Sequence, residues 1–456
     1  MLRSHPHSRM TLLIALAAGG LAGCASAPTT PPQTQLVPAH FSASGTTTTQ
    51  PRWWRELRDP MLDHLVAQAL RDNPDLAAVE ARLRQAGAVW RQAGAARLPT
   101  LDLGVSATES ANLSPVSRAT SAARSVTLTA GYEVDLWGRL AAAERSKGFT
   151  YRATAEDLQT SALTLAAEVS RTWYEMVAQR RTLQLIAAQE KTAGEYLDAL
   201  RLRFVAGQAR AADVLQQREL VASLKGERAQ AESALATARH AMAALLGRSP
   251  DQAPSAADAA LPTLPPLPKT GLPAELLSRR PDLRQARFTL HATEEDVAVA
   301  AADRLPRLTL TGTAASRAEV WADLLQDWSR TLVASLTAPL FDGGRRRAEV
   351  ERTRARVEEA VANYRKAILD ALVEVEDALA QERQQRLYLN QVDARVRLSR
   401  QILERQTDYY RSGGGDFLNV LDAQRTLQAR ERERITARRQ LIEYRIALYR
   451  ALAGGI

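Results

Sequence analysis

Residues 73–76 read Asn-Pro-Asp-Leu, and residues 280–283 read Arg-Pro-Asp-Leu. Each tetrapeptide leads through a helical stretch into a Leu-Pro pair and then into an alternating strand, and the two copies are 207 residues apart. A long period that is repeated once indicates that a large structural unit has been duplicated. The sequence therefore predicts one architecture made of two similar repeats, at 53–248 and 274–456.

The composition indicates extended helices. The chain has 456 residues, of which 24% are charged and 45% hydrophobic, and long stretches are rich in Ala, Leu, Arg, Gln and Glu. The net charge is +9, but the arginines are interleaved with Glu and Asp instead of clustering with aromatic residues, which argues against nucleic-acid binding. Between the repeats, residues 249–273 are rich in Pro and Ala and are predicted to form a surface linker.

The N-terminus has the pattern of a targeting segment, residues 1–23, with basic residues ahead of a short apolar run. It ends in Leu-Ala-Gly before Cys24, the only cysteine of the chain. This end resembles a bacterial lipobox, which implies a lipid on Cys24 and, because Ala25 and not Asp follows it, sorting to the outer membrane. An ordinary signal peptide with an incidental cysteine is the alternative. Residues 24–52, rich in Thr, Pro and Ser, are predicted to form an extended tether.

Two hairpins of alternating apolar and polar residues are predicted, at about 100–137 and 307–341. In the first, Val126, Leu128 and Ala130 alternate with Ser and Thr. No apolar run of about 20 residues follows the targeting segment, so any membrane crossing must use strands. Such strands are typical of transmembrane β-barrels, although a soluble sheet packed on a helix would explain one hairpin alone. Four strands cannot close a barrel, so several chains must join, and three chains would contribute twelve strands.

Each hairpin is followed by Gly-Arg and a long proline-free stretch, 139–206 or 345–412. Both stretches have 68 residues, enough for a helix of about 100 Å. In the first stretch, apolar residues at alternating spacings of four and three predict a coiled-coil seam. Gly207 and Gly413 then interrupt the helical pattern before a returning helix. These glycines should mark hairpin tips, because glycine supplies the positive φ that reverses a helix.

This order of elements, stated twice behind a lipobox, resembles the outer-membrane factors of tripartite efflux systems, the TolC-like channel family. The most specific local match is at 410–425, which begins Tyr-Arg-Ser-Gly and ends Asp-Ala-Gln-Arg. The resemblance implies an α+β membrane protein, a homotrimer whose twelve-stranded transmembrane β-barrel, with four strands per chain, is continuous with a long periplasmic α-helical barrel. It also implies two partners, a periplasmic adapter and an inner-membrane transporter, and a place in the outer membrane of a Gram-negative bacterium.

The same resemblance assigns an adapter-binding role to residues at the hairpin tips. The positions that match are Arg203, Phe204, Gly207, Tyr410, Arg411 and Gly413. Turn geometry and hairpin packing are the alternative explanation for these residues, above all for the glycines.

Leu418, Asp422 and Arg425 match the residues that constrict the resting channel in this family. Their i, i+4, i+7 spacing independently places them on one helical face. Three-fold repetition would put rings of leucines and carboxylates near the axis, which would narrow the pore and favour cations. An exposed ion pair between Asp422 and Arg425 is the alternative. The corresponding residues of the first repeat are Ala212, Gln216 and Glu219.

No catalytic or metal site is predicted, and the lipid on Cys24 is the only attached group expected. His40, His64, His240 and His291 are scattered, without the spacing of metal ligands or of a base beside a nucleophile. Two other functions share some of these features: a duct for protein secretion and, less well matched, a periplasmic coiled-coil lipoprotein that forms no pore. The cargo stays open among drugs, metal ions, organic acids and polypeptides.

Overall fold

The computed structural model describes residues 37–46, 51–114, 117–256 and 259–453. The predicted targeting segment, Cys24 and the first part of the predicted tether lie outside these residues. The chain divides into two compact units, which we call the strand unit and the helical unit. The strand unit contains Ala86–Tyr151 and Phe288–Ala362, and the helical unit contains Thr34–Gln85, Arg152–Arg287 and Asn363–Ile456.

Helices account for most of the described chain. In order they are α1 Pro60–Asp72, α2 Pro74–Ala95, α3 Arg139–Val205, α4 Ala211–Leu245, α5 Leu276–Arg279, α6 Pro281–Ala302, α7 Arg345–Arg411 and α8 Phe417–Leu452. The long helices α3 and α7 have 67 residues each. The sequence did not predict α1, which begins where the Asp59 side chain accepts hydrogen bonds from two backbone N–H groups. Among the described helices, none has both the length and the apolar character needed to cross a membrane.

Both long helices begin in the same way. The carboxylate of Asp135 accepts hydrogen bonds from two backbone N–H groups at the start of α3, at 3.1 and 2.8 Å. Asp342 does the same at the start of α7, at 3.1 and 3.2 Å. Gly138 and Gly344 provide the positive φ, 71° and 87°, that lets the chain turn before each helix. The repeated Asp and Gly of the sequence are therefore helix-start residues.

The repeated tetrapeptides also make equivalent contacts. Asn73 donates from Nδ2 to the carbonyl oxygen of Leu245 at 3.0 Å, and Arg280 donates from Nη1 to that of Ala451 at 3.1 Å. Asn73 and Arg280 are both buried. In each repeat, the residue before the proline thus ties the start of one helix to the end of the returning helix. This contact satisfies a carbonyl group that a helix end leaves without an intrahelical partner.

The four predicted strands are present and form one antiparallel sheet in the order β1-β2-β3-β4. Their bounds are Thr100–Ser114, Ser117–Val134, Arg307–Ala318 and Trp328–Thr337. The register aligns Leu103 with Leu128, Leu128 with Ala314, and Ala314 with Arg330. The apolar residues of all four strands therefore share one face, and Thr and Ser dominate the other. Within the described residues, β1 and β4 each keep one edge unpaired.

The second hairpin differs from its prediction at the end of β4. The hairpin was predicted to extend to about residue 341, but its second strand, β4, runs from Trp328 to Thr337, so Leu340 lies outside it. Pro339 accounts for this end, because proline has no N–H to donate to the ladder. Leu340 is almost fully exposed in the segment that leads to α7.

Aromatic residues form the centre of the helical unit's core. The rings of Trp53 and Tyr449 stack with their centroids 5.6 Å apart. Trp173, buried in α3, donates its indole N–H to the carboxylate of Asp59 at 2.7 Å, so the residue that starts α1 also anchors it to the long helix. Burial along α3 is wider than a two-position seam, since Tyr174 is fully buried as well.

The linker between the repeats packs more closely than the surface segment that was predicted. Arg445 of α8 is fully buried and forms a bidentate ion pair with Glu382 at 2.6 and 2.8 Å. Its remaining donor reaches the carbonyl oxygens of Pro265 and Pro266 at 2.9 and 3.2 Å. A buried guanidinium needs all of these acceptors. The linker therefore lies at the surface here, with Pro266 exposed and Pro265 half-buried, but its backbone is bound to α8.

The described end of the predicted tether is also bound to the helical unit. Ser42 donates its backbone N–H to Glu376 at 2.9 Å, and Gly45 donates to the carbonyl oxygen of Pro268 at 2.9 Å. A Cβ at position 45 would lie 1.6 Å from the carbonyl oxygen of Leu267, so only glycine fits there. Composition alone predicted an extended tether, because Ser, Thr and Pro reveal nothing of a distant binding partner.

Candidate functional site: the tips of the two helical hairpins

Two glycine turns form the tips, tip 1 at 206–210 and tip 2 at 412–416. Gly207 and Gly413 have φ values of +70° and +82°. In each tip, the N–H after the helix bonds back to a carbonyl oxygen of its last turn: Gln208 to Arg203 at 2.7 Å, and Gly414 to Tyr409 at 3.1 Å. A Cβ at Gly207 or Gly413 would meet nothing within 4 Å, so backbone conformation and not space requires glycine there.

The returning helices start differently in the two repeats. In tip 2, the Asp416 side chain accepts a hydrogen bond from the backbone N–H of Leu418 at 3.1 Å and caps α8. In tip 1, Arg210 holds the equivalent position, and Asp213 of α4 accepts its backbone N–H at 3.0 Å. The guanidinium of Arg210 also bonds to Asp213, and this hydrogen bond, together with the charges of Asp213 and Asp416, raises the pKa of Arg210.

Two ion pairs join the repeats at equivalent positions. Arg210 of tip 1 lies 2.6 Å from Asp416 of tip 2. Glu219 of α4 pairs with Arg425 of α8. Both pairs span 206 residues, which is the offset of the repeat in this region. Equivalent positions of the two repeats therefore carry opposite charges. Because the charges are opposite, the two hairpins attract each other at these positions.

A small apolar core supports these ion pairs. Phe417, only 2% exposed, meets the ring of Tyr410 edge to face, with 5.5 Å between ring centroids. The guanidinium of Arg203 lies 4.8 Å from the centre of the Tyr410 ring, a cation–π contact between the repeats. The other buried members of this core are Ala193, Leu200, Leu220, Leu224, Val420 and Leu421.

Several large apolar side chains of the tips stay exposed. Val205 is 86% exposed and Phe204 47% exposed at the end of α3. Leu202, Leu215 and Tyr409 are exposed nearby in sequence, on α3, α4 and α7. Single exposed apolar residues are ordinary, but five at the ends of two hairpins are typical of a surface that binds another protein.

Comparison with protein families decides the identity. Residues 65–248 and 272–454, one stretch in each repeat, both match the sequence model of the family described as outer membrane efflux protein. The chain belongs to this family. Its location is therefore the outer membrane, and its function is efflux. The family is one of transport proteins and not of enzymes.

Relatives of this efflux protein agree with the assignment. It is 34% identical over 425 residues to the pyoverdine export outer membrane protein OpmQ of Pseudomonas aeruginosa, covering 89% of this chain and 87% of the relative. It is 29% identical over 419 residues to the toluene efflux pump outer membrane protein TtgF of Pseudomonas putida, with coverage of 88% and 85%. The solved structure of the outer-membrane channel OprN superposes with a TM-score of 0.86 at 28% identity, over 94% of this chain and 98% of that one.

The structure places the predicted gate residues of this efflux protein on the first two turns of α8 and just beyond. Leu418 is 41% exposed, and Asp422 is exposed without a hydrogen bond or ion pair to any described residue. Arg425 pairs with Glu219. The alternative ion pair between Asp422 and Arg425 is therefore not formed. Beneath this face Gln424 is buried, and its amide has no hydrogen-bond partner among the described residues.

The predicted adapter-contact residues divide into three kinds. Arg203 and Tyr410 contact each other and so support the packing of the tips. Gly207 and Gly413 shape the turns. Phe204 and Arg411 are exposed.

Sequence reasoning missed Arg210, although one signal was available: it carries the charge opposite to Asp416, its equivalent in the second repeat. It also missed Leu202, Val205 and Leu215, because apolar residues near a turn look like core. Across the described part of the chain, no cluster of three or more His, Cys, Asp and Glu residues could hold a metal ion.

Substituting Gly413 by alanine should loosen tip 2. Alanine at a φ of +82° is strained by about 1 kcal/mol, which should raise the rate of amide hydrogen exchange around the turn about fivefold. The matched control is Gly226→Ala, in the exposed interior of α4 with nothing within 4 Å, which should stabilise that helix by about 1 kcal/mol. Equal exchange at the tip in Gly413→Ala and the unmodified protein would show that the turn does not require positive φ.

Proposed function

We propose that three copies of this chain form one outer-membrane channel, the exit duct of a tripartite efflux pump. The observation that carries this proposal is the four-stranded sheet, which has one apolar face and an unpaired edge on each side. In hydrocarbon, unpaired backbone groups are too costly to persist, and a barrel needs about eight strands or more. Three sheets joined edge to edge supply twelve strands, with the helical hairpins of each chain continuing as a periplasmic barrel.

The strands have suitable lengths for this role, from 10 residues in β4 to 18 in β2. A strand tilted in a bilayer needs about 9–11 residues. Outward-facing Leu101, Leu103 and Leu336 are each about two-thirds exposed in a single chain. Lipid would cover these side chains, while the Thr and Ser face would line a wet interior.

The partners follow from the tips. A periplasmic adapter that covers Phe204 and Val205 would remove their apolar surface from water, and an inner-membrane transporter would supply the energy. The relative OpmQ is named for the export of pyoverdine and TtgF for the efflux of toluene, and both cargoes are small compounds. We therefore favour small toxic compounds as cargo over secreted polypeptides.

The tips also suit a gate that opens on assembly. Leu418 and Asp422 lie exposed beside one another on α8, where three-fold repetition would bring them to the axis. The two tips are joined by exposed ion pairs, Arg210 with Asp416 and Glu219 with Arg425, and solvent weakens such pairs. The buried amide of Gln424, which has no hydrogen-bond partner among the residues that the structure describes, offsets part of the packing energy. An adapter could therefore move the tips apart at small cost.

Replacing the gate side chains should widen the resting channel. Leu418→Ala with Asp422→Ala removes the bulk and the charge at the axis, so the single-channel conductance in planar bilayers should rise and cation selectivity should fall. Gln216→Ala, at the position of the first repeat equivalent to Asp422, is the matched control and should leave both quantities nearly unchanged. A double variant with the conductance and selectivity of the unmodified channel would contradict the gate.

Crosslinking in cells should identify the adapter. A photo-crosslinking residue at Phe204 should capture the periplasmic adapter, whereas one at exposed Lys225, farther along α4, should not. In a deletion strain, Phe204→Asp with Val205→Asp should fail to restore tolerance of the small compounds that the unmodified gene restores. Full restoration by this variant, or equal capture from both positions, would count against the tips as the docking surface. The compounds to which the deletion strain is sensitive identify the cargo.

The proposed lipid anchor is tested at its attachment residue. Cys24→Ala should abolish labelling of the chain with radioactive palmitate, because no other cysteine is available. Ala25→Asp should shift the labelled protein to the inner-membrane fraction, while Ala25→Ser, the control, should not. Labelling that persists in Cys24→Ala would exclude this residue as the site.

A further inference from the structure

The two edge strands carry opposite charges on the apolar face of the sheet. On β4, the register places Arg330 in one row with Ala314, Leu128 and Leu103. On β1, Glu109 is six residues beyond Leu103, and because side chains alternate it lies on the same face. Every other residue of β1 and β4 on this face is uncharged.

A third charge on this face is Arg124 of β2, which the register places opposite Ala107 and so diagonal to Glu109. Its guanidinium donates to the carbonyl oxygen of Glu319 and lies 5.6 Å from the centre of the Trp321 ring, and it forms no ion pair with Glu109.

Neither Arg330 nor Glu109 has a partner among the described residues of a single chain. Arg330 and Glu109 are both exposed, and neither forms a hydrogen bond or ion pair with any described residue. Their neighbours along the face are Leu332 and Trp328 for the arginine, and Ala107 and Ala111 for the glutamate. A lone charge on the lipid-facing side of a barrel is unfavourable, and most so away from the interfaces. A partner from outside the chain would relieve this cost for both residues.

The geometry of closure brings these two residues together. In a ring of three chains, β4 of one copy runs antiparallel to β1 of the next. Strands tilted by about 35–45° shift the register by roughly 4–6 residues for every four strands. The shift must be an even number of residues, because an odd shift would turn the apolar side chains to the other face. It must move Arg330 toward the end of β1, because a shift of four or more in the other direction would place it opposite residues before Thr100, where β1 begins. A shift of about four sets Arg330 opposite Ala107, and a shift of about six sets it opposite Glu109.

In the first register Glu109 is the diagonal neighbour of Arg330, and in the second it is the direct one. Both positions are within reach of a long side chain. We propose that Arg330 of one copy forms an ion pair with Glu109 of the next copy on the outer face of the barrel. This inter-chain ion pair rests on the proposed trimer. It fixes the register in which the chains join, because a slip of several residues would separate the two charges and leave Arg330 alone on the apolar face.

Charge reversal tests the pair. Samples are heated to a series of temperatures before electrophoresis, and the temperature at which the trimer band disappears is recorded. Arg330→Glu alone and Glu109→Arg alone should each lower this temperature. Combining them should restore most of the loss, because the pair is re-formed with its charges exchanged. Arg317→Glu, on the opposite face of β3, is the control substitution and should not be rescued by Glu109→Arg. Strictly additive losses in the combined variant would overturn the proposed pair.

Crosslinking tests the register independently. Arg330→Cys with Glu109→Cys should give covalent trimers with a short bis-thiosulfonate reagent. Arg330→Cys with Thr108→Cys, on the other face, should give none, and neither should either single variant. Crosslinks to Leu101→Cys in place of Glu109→Cys, in a trimer that persists, would overturn the register and leave the proposed channel standing. Absence of any heat-sensitive trimer in the unmodified protein would overturn the proposed channel itself.

Discussion

The unpaired backbone groups along β1 and β4 constrain the rest of this chain. A sheet with two open edges is tolerable in water, where solvent bonds to the free N–H and C=O groups, but not in hydrocarbon. The apolar face that includes Leu103, Leu128 and Ala314 is more favourable in contact with hydrocarbon than with water. In the proposed trimer the two requirements are met together, because other copies complete the sheet. The long helices follow β2 and β4 in the chain, so the proposed trimer would also have three copies of each.

The two repeats share the same arrangement of helices and strands, but their side chains differ at the tips. The arrangement repeats in detail: Asp135 and Asp342 start the long helices, and Asn73 and Arg280 hold the ends of the returning ones. At the tips the repeats no longer match. Where the second repeat has Asp416, the first has Arg210, and the two side chains bind each other. Such a contact is impossible between identical hairpins, because like charges would face each other.

Much of the arrangement could be predicted from the sequence, because its signals are local. Alternation along Val126, Leu128 and Ala130 predicted the face of β2, and Gly207 and Gly413 predicted the turns. The remaining features depend on contacts between distant segments. Ser42 binds Glu376 and Arg445 binds the linker, and no local pattern marks either contact. The ion pairs between the two tips are an intermediate case. Each pair joins equivalent positions, 206 residues apart, that carry opposite charges, so comparing the two repeats position by position would have predicted them.

The equal length of α3 and α7, 67 residues each, has an evolutionary consequence. Each inserted residue would rotate everything beyond it by about 100° and advance it by about 1.5 Å. One insertion in a single long helix would therefore turn a tip away from its neighbour, and Arg210 would lose Asp416. Insertions and deletions in such a chain should survive only as matched events in both helices, close to multiples of seven, where the rotation nearly cancels. Side chains along α3 and α7 can diverge between the repeats, but the two helices must keep the same length.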